Sequence, residues 1–182
     1  MTITETPLKD CFVIEPRVFE DDRGYFFESY NAQRAEGTVL EQYNWVQENE
    51  SKSDKGVLRG LHFQKGEHAQ SKLVRVIVGE VFDVAVDMRQ DSETFGQWYG
   101  LMLTAKNKRQ FLVPRGFAHG FLVVSDTAIF QYKCDNWYAP AHDSGVMFND
   151  AQLAIEWPKL DIPFLLSAKD QKLDSFSDAY KF

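Results

Sequence analysis

The feature that most limits what this chain can fold into is a series of short, β-branched and aromatic segments through its middle, cut by turn signals every 8–12 residues or so. Leu73–Val78 is apolar apart from Arg75 and stops at Gly79-Glu80, which predicts a hairpin turn. Val81–Met88 follows, with Phe82, Val84, Val86 and Met88 on one face and Asp83 and Asp87 on the other. Gln97–Thr104 closes at the polar turn Lys106-Asn107-Lys108, and Phe111–Val113 stops at Pro114-Arg115-Gly116. Phe117–Val124 and Thr127–Cys134 flank Ser125-Asp126, a second two-residue hairpin signal that lacks the favoured glycine. Helical patterns are confined to Ala32–Glu36 and Asn149–Ile155, where Asn149 stands in the capping position. From Pro158 onward the sequence is irregular, with Lys169-Asp170 inside a polar tail. Short strands in this rhythm predict an all-β sandwich or barrel with a C-terminal flap, one domain over residues 1–182.

Composition narrows the function. Fifteen Phe, four Trp and seven Tyr can fill a core and still leave rings to stack on a ligand. A formal charge of −7 repels polyanions, so neither nucleic acid nor an acidic membrane is expected as a partner, and a phosphate needs a local basic cluster. Cys11 and Cys134 stand far apart, outside any CxxC or Cys/His spacing, which argues against zinc fingers, iron–sulfur sites and a disulfide framework. The start lacks a basic region followed by an apolar run, and charges interrupt every stretch well short of the roughly 18 apolar residues of a membrane span. A cytoplasmic protein is the expectation.

Four stretches carry residues that can do chemistry. In Gly56-Val-Leu-Arg-Gly-Leu-His-Phe-Gln64, strict alternation puts Arg59 and His62 on opposite faces, yet Gly60 permits a bulge that turns both toward one cavity. Spacing alone leaves His62 divided between a satisfied core histidine and a site residue, and Arg59 reads first as a surface ion-pair partner. Asp22-Arg23-Gly24 is a turn between Phe19 and Glu28; Arg23 is either solvated or a fork for a diphosphate. His119 sits between small residues at the head of a strand. Tyr132 shares a face with Phe130 and Ala128, as a core tyrosine would. His62, Glu67, His68 and His119 suit a first-row metal by type, but their spacing does not, so no metal is expected. His68 and His142 read as solvent-exposed.

In order and spacing, these motifs resemble the dTDP-4-dehydrorhamnose 3,5-epimerases of the cupin group. The likeness runs through Phe19-Glu-Asp-Asp-Arg-Gly-Tyr-Phe26, Gln47-Glu-Asn-Glu-Ser-Lys-Ser53, the Arg59–His62 stretch and Lys72-Leu-Val-Arg-Val76. It continues in Gly79-Glu-Val-Phe-Asp-Val-Ala-Val-Asp87, Pro114-Arg-Gly-Phe-Ala-His-Gly-Phe121, Asn149-Asp150 and Leu166-Ser-Ala-Lys-Asp170. The resemblance implies a double-stranded β-helix jelly roll with short flanking helices, a homodimer, and no metal or coenzyme. It implies conversion of dTDP-4-dehydro-6-deoxy-D-glucose to dTDP-4-dehydro-L-rhamnose, on the way to rhamnose polymers. By the match His62 is the base, Asp170 its partner, Lys72 the enolate stabiliser and Tyr132 the acid. Arg23 and Arg59 would clamp the diphosphate with His119 and Lys169, and Tyr138 would stack on thymine. Phe19, Glu28, Gln47, Asn49 and Asp143 would line the nucleotide and sugar pocket.

Two positions depart from the family pattern: Asp143 where a longer glutamate is common, which shortens its reach, and Phe148 where tryptophan is frequent. The competing readings are a 5-epimerase for a related dTDP-4-keto sugar, a non-catalytic sugar-nucleotide-binding cupin, and a metal-dependent cupin oxygenase. The last is disfavoured by ligand spacing, and the binder by the presence of a base and an acid together.

Overall fold

In the computed structural model, which describes residues 1–182, the apolar segments become thirteen strands with very little helix. They are β1 (Thr2–Glu5), β2 (Phe12–Glu15), β3 (Phe19–Asp21), β4 (Gly24–Phe26), β5 (Gln47–Asp54), β6 (Leu58–Gln64), β7 (Lys72–Val78), β8 (Glu80–Asp87), β9 (Trp98–Thr104), β10 (Gln110–Val113), β11 (Phe117–Val123), β12 (Thr127–Cys134) and β13 (Asp143–Gly145). A six-stranded sheet runs β1-β2-β10-β7-β12-β5 and a five-stranded sheet β13-β6-β11-β8-β9, while β3 and β4 form a separate hairpin over the predicted Asp22-Arg23 turn. The chain crosses from one sheet to the other at successive corners, which is the jelly-roll plan.

Those crossings correct both predicted hairpins. β7 lies in the six-stranded sheet and β8 in the five-stranded one, and β11 and β12 are divided the same way. Gly79-Glu80 and Ser125-Asp126 do turn the chain, but they turn it across the sandwich. Sheet membership is decided by the longer pairings each strand finds elsewhere, β8 with β9 and β11, β12 with β5 and β7. The two corners lie side by side, with Val124 N donating to Glu80 O at 3.1 Å. Gly79 has φ 77°, and a Cβ there would stand 2.0 Å from the Thr127 carbonyl oxygen, so the corner admits only glycine.

Three apolar layers cover the two sheets. Between them lie Val74, Val76, Phe111 and Phe130 from one sheet and Val81, Ala85, Leu103, Phe121 and Val123 from the other. The outer face of the five-stranded sheet (Leu61, Phe63, Val84, Val86, Met88) is sealed by Val146, Leu153, Phe176 and Ala179 of the C-terminal stretch. On the outer face of the six-stranded sheet, Ile14, Leu73 and Leu112 meet Ala35 and Leu40. Burial on both faces is why the central strands read as nearly continuous apolar runs.

Helix α1 (Ala32–Ala35) is capped by Asn31, whose side chain accepts from Gln33 N and Arg34 N. The expected second helix at 149–155 is absent. Asp150, rather than Asn149, accepts from Gln152 N and Leu153 N, and its other oxygen accepts Phe176 N at 2.8 Å. Tying that loop to the tail stops it after one turn, with Ala154 at φ 46°. Phe148 packs against Phe164, and its carbonyl accepts the Trp157 indole N–H. The tail itself is docked: Leu165 N donates to Gly56 O at 2.8 Å, and Leu58 N to Leu165 O at 3.0 Å. No helix is long and apolar enough to cross a membrane.

Candidate active site

A cavity of about 580 Å³ opens between the sheets, and β6 is shaped to aim two functional side chains into it. His62 pairs with His119 and Arg59 with Phe121, so β6 spends one more residue than β11 between those pairs. The bulge falls at Gly60 (φ 124°), where a Cβ would lie 2.6 Å from Gly120 Cα and 2.8 Å from His119 O. The extra residue reverses the alternation, and Arg59 and His62 both line the cavity, as Gly60 allows from sequence.

His62 Nε2 lies 2.5 Å from Asp170 Oδ1. An ionised carboxylate only accepts, so Nε2 carries the proton and Nδ1 remains the basic nitrogen. Burial pushes the Asp170 carboxyl up, but the bond and charge of His62, the Ser167 hydroxyl and the Gly60 N–H together hold it below the usual carboxylate range. Asp170 is buried while its neighbour Lys169 stays exposed, so the polar stretch puts one carboxylate inside the protein. His119, beside His62 across the ladder, is bound through Nε2 to the fully buried Asp83 at 2.9 and 3.1 Å.

Lys72 and Tyr132 face these residues from the other sheet. The Lys72 ammonium stands 5.9 Å from the centroid of the Tyr132 ring. Burial, only partly offset by Cys134, Asp143 and Asp83, draws the Lys72 pKa below the ordinary lysine value. Burial likewise raises the Tyr132 phenol, and it pushes the neighbouring Cys134 thiol up to about 11. The enclosed basic nitrogen, fixed cation and protonated phenol form a set that can remove a proton beside a carbonyl, hold the enolate and return a proton. Arg59, Lys72 and Lys169 also give a net-acidic chain its local basic cluster.

Of the residues singled out in the sequence, His62, Asp170, Lys72, Tyr132, Arg59, His119, Asn49 and Lys169 line this cavity. Tyr138, Asp143 and Gln47 stand at its rim and are wired to it. The Tyr138 hydroxyl donates to Asp143 Oδ2 at 3.0 Å, and Lys169 Nζ donates to the same oxygen. Gln47 donates to Asn49 Oδ1 at 2.9 Å and accepts Tyr138 N at 3.0 Å. Asp143, short as it is, keeps two partners.

Phe19, Arg23 and Glu28 do not enter the cavity of their own chain. Arg23 is solvent-exposed and paired with Asp21, Phe19 lies under the Arg17 guanidinium, and Glu28 is taken up by Arg34 and Asn31. They sit on or just after the β3–β4 hairpin, whose two strands join neither large sheet. His68 and His142 are half-buried rather than free in solvent: their rings lie against each other, tilted by 37° with centroids 3.8 Å apart. No three His, Cys, Asp or Glu side chains converge as a metal would require. Two contributors went unread in the sequence, Asp83 and Ser167. The signal for Asp83 was present, a carboxylate between Val81 and Ala85 on the inward face of a buried strand.

The family model described as dTDP-4-dehydrorhamnose 3,5-epimerase matches residues 5–178. The epimerase of that name from Salmonella typhimurium is 54% identical over 170 residues, covering 93% of this chain and 92% of its own. The crystal structure of the Elizabethkingia anophelis dTDP-4-dehydrorhamnose 3,5-epimerase superposes with a TM-score of 0.90 at 54% identity, over 98% of this chain and 97% of that one. The dTDP-6-deoxy-D-glucose-3,5-epimerase of Legionella pneumophila, solved in complex with dTDP-4-keto-L-rhamnose, gives 0.92 at 47% identity, over 97% and 93%. Sequence, fold and cavity agree, and the chain belongs to the dTDP-4-dehydrorhamnose 3,5-epimerase family of carbohydrate isomerases.

Proposed function

We propose that this protein converts dTDP-4-dehydro-6-deoxy-D-glucose to dTDP-4-dehydro-L-rhamnose by inverting carbons 3 and 5 of the sugar. The observation that carries the reading is the hydrogen-bonded His62–Asp170 pair sharing one cavity with Lys72 and Tyr132. The carbon-4 ketone acidifies the hydrogens at carbons 3 and 5, so the reaction needs a base, an acid and a counter-charge for the enolate oxygen. His62 takes the proton, and Asp170 stabilises the resulting imidazolium and fixes the ring. Lys72 holds the developing oxyanion at oxygen 4, where a preorganised cation is most effective. Tyr132 delivers a proton to the opposite face, which inverts the centre. Electrons and protons balance within the sugar, so no redox partner is consumed.

Arg59, His119 and Lys169 hold the diphosphate, and Tyr138 stacks on thymine, with Gln47, Asn49 and Asp143 around it. Phe19, Arg23 and Glu28 fit this account through a homodimer, in which one copy's β3–β4 hairpin reaches the mouth of the other copy's cavity. The support is the exposed aromatic surface on that hairpin, with Phe26 at 66% and Tyr25 at 56% exposure, beside an outward-facing Arg23. The enzyme works in the cytoplasm, where Cys11 and Cys134 remain thiols, and needs no metal; activity unchanged after chelation and elemental analysis is the expected result.

The direct test is incubation with dTDP-4-dehydro-6-deoxyglucose in deuterated water, followed by NMR of the product. Deuterium at both carbons with inversion at both supports the proposal. Label and inversion at carbon 5 alone would make the protein a mono-epimerase for another deoxysugar, and no label at all would leave it a binding protein.

A further inference from the structure

We propose that Ser53 is a positioning residue that fixes the Arg59 guanidinium for the diphosphate. β5 alternates strictly: Gln47, Asn49, Ser51 and Ser53 are the more buried positions, and Glu48, Glu50, Lys52 and Asp54 are exposed. Ser53 is the most enclosed of that row, 7% exposed, and pairs across the ladder with the core residue Ala128. A hydroxyl in such a place is unfavourable unless it is hydrogen-bonded. The Ser53 hydroxyl has one partner, Arg59 Nε, which donates to it at 3.0 Å. The Thr127 hydroxyl donates to the Ser53 carbonyl at 3.2 Å and steadies the backbone beneath.

Arg59 is long, exposed and without a carboxylate partner, whereas Arg23, Arg34, Arg89, Arg109 and Arg115 each have one. Its direction therefore rests on the serine. Guanidinium offers five N–H groups in a rigid fork, and Ser53 takes only the one on Nε. The four on the terminal nitrogens stay free, in the arrangement that grips phosphate oxygens two at a time. A carboxylate in place of Ser53 would orient the arginine equally well but would cancel the charge the diphosphate needs.

This inference rests on the reading of Arg59 as a diphosphate ligand, and the experiment separates the two. Titrations of dTDP and of thymidine are compared for wild type, Ser53→Ala, Arg59→Ala and the double variant, alongside steady-state kinetics. Ser53→Ala is expected to weaken dTDP about three- to tenfold and to raise KM similarly, with kcat within about twofold and thymidine unaffected. Ser53→Thr, which keeps the acceptor, restores affinity, and Ser53→Ala adds nothing once Arg59 is alanine. If Ser53→Ala does not fold, Ser53→Cys keeps the volume with a poorer acceptor and is expected to show the same loss. Lowered thermal stability with unchanged dTDP affinity, or an equal loss in the Arg59→Ala background, overturns the proposal and leaves the clamp standing. Arg59→Ala with undiminished dTDP affinity overturns the clamp and the proposal together.

Discussion

In the proposed mechanism Lys72 must stay charged in a place where burial works against charge, and that mechanism predicts an alkaline limit set by its titration. Its pKa is drawn below the ordinary lysine value of about 10.4, while that of Tyr132 is pushed above the ordinary tyrosine value of about 10. The two shifts run in opposite directions, bringing loss of the Lys72 cation to lower pH and delaying ionisation of the Tyr132 phenol. Solvent exchange catalysed by the wild type is expected to fall on the alkaline side at a value under that of free lysine. The same fall persists in Tyr132→Phe and is removed in Lys72→Arg, whose guanidinium does not titrate. An alkaline limb that disappears with Tyr132→Phe instead would assign it to the wrong residue. Spacing alone left His62 divided between core and site and read Tyr132 as a core tyrosine, and Lys72 was singled out only through the family likeness. Asp83 was visible in the sequence as an inward-facing carboxylate, but its partner was not, because that depends on His119 lying across the ladder. Asp170, like Lys72, was singled out through the family likeness, since its own surroundings read as a polar tail.

Elements carry the next set of consequences. At the end of β8, the buried Asp87 accepts from Arg89 Nε and Nη2 at 2.9 and 2.8 Å, from Ser92 Oγ at 2.6 Å and from Thr94 Oγ1 at 2.7 Å. Burial raises its carboxyl, but these bonds outweigh that and hold it below the usual range. A folded-state pKa below the unfolded one means stability present above about pH 4 and lost as pH falls through the lowered value. Asp87→Asn is expected to cost about 3 kcal/mol in urea unfolding at pH 7 and to flatten the acid dependence. A variant as stable as wild type at pH 7 and equally acid-sensitive would show that this network is not what ties the β8–β9 connection. Gly60→Ala tests the bulge: with no room for a Cβ, β6 must shift, and both dTDP binding and solvent exchange are expected to collapse together. Near-normal activity in a soluble, folded Gly60→Ala protein would contradict the bulge as the source of the shared face. Strand positions were readable because alternation and turn residues are local. The corners at Gly79 and Ser125 were misread because a turn sequence does not say which sheet receives the next strand. The 149–155 helix failed for a related reason, the distant bond from Phe176 to Asp150.

At the scale of the molecule, the exposed hairpin predicts a dimer, about twice the 21.0 kDa chain by light scattering. Arg23→Ala and His62→Asn proteins, each impaired alone, should regain activity when mixed and allowed to exchange subunits, because one site then has both residues intact. No recovery would place Arg23 at its own chain's site. His62 belongs to the five-stranded sheet and Tyr132 to the six-stranded sheet, and both line the cavity. In the proposed mechanism this placement supplies the stereochemistry, with base and acid approaching the sugar from opposed walls. The most direct test of that claim is to follow deuterium at carbon 5 in His62→Asn and Tyr132→Phe. His62→Asn is expected to lose exchange and inversion together, by about 10²–10⁴-fold. Tyr132→Phe still forms the enolate, and the protonated His62 returns a solvent deuteron to the original face, so exchange continues while little inverted product appears. Normal inversion by Tyr132→Phe, or near wild-type exchange by His62→Asn, would contradict the assignment of base and acid to opposite sheets.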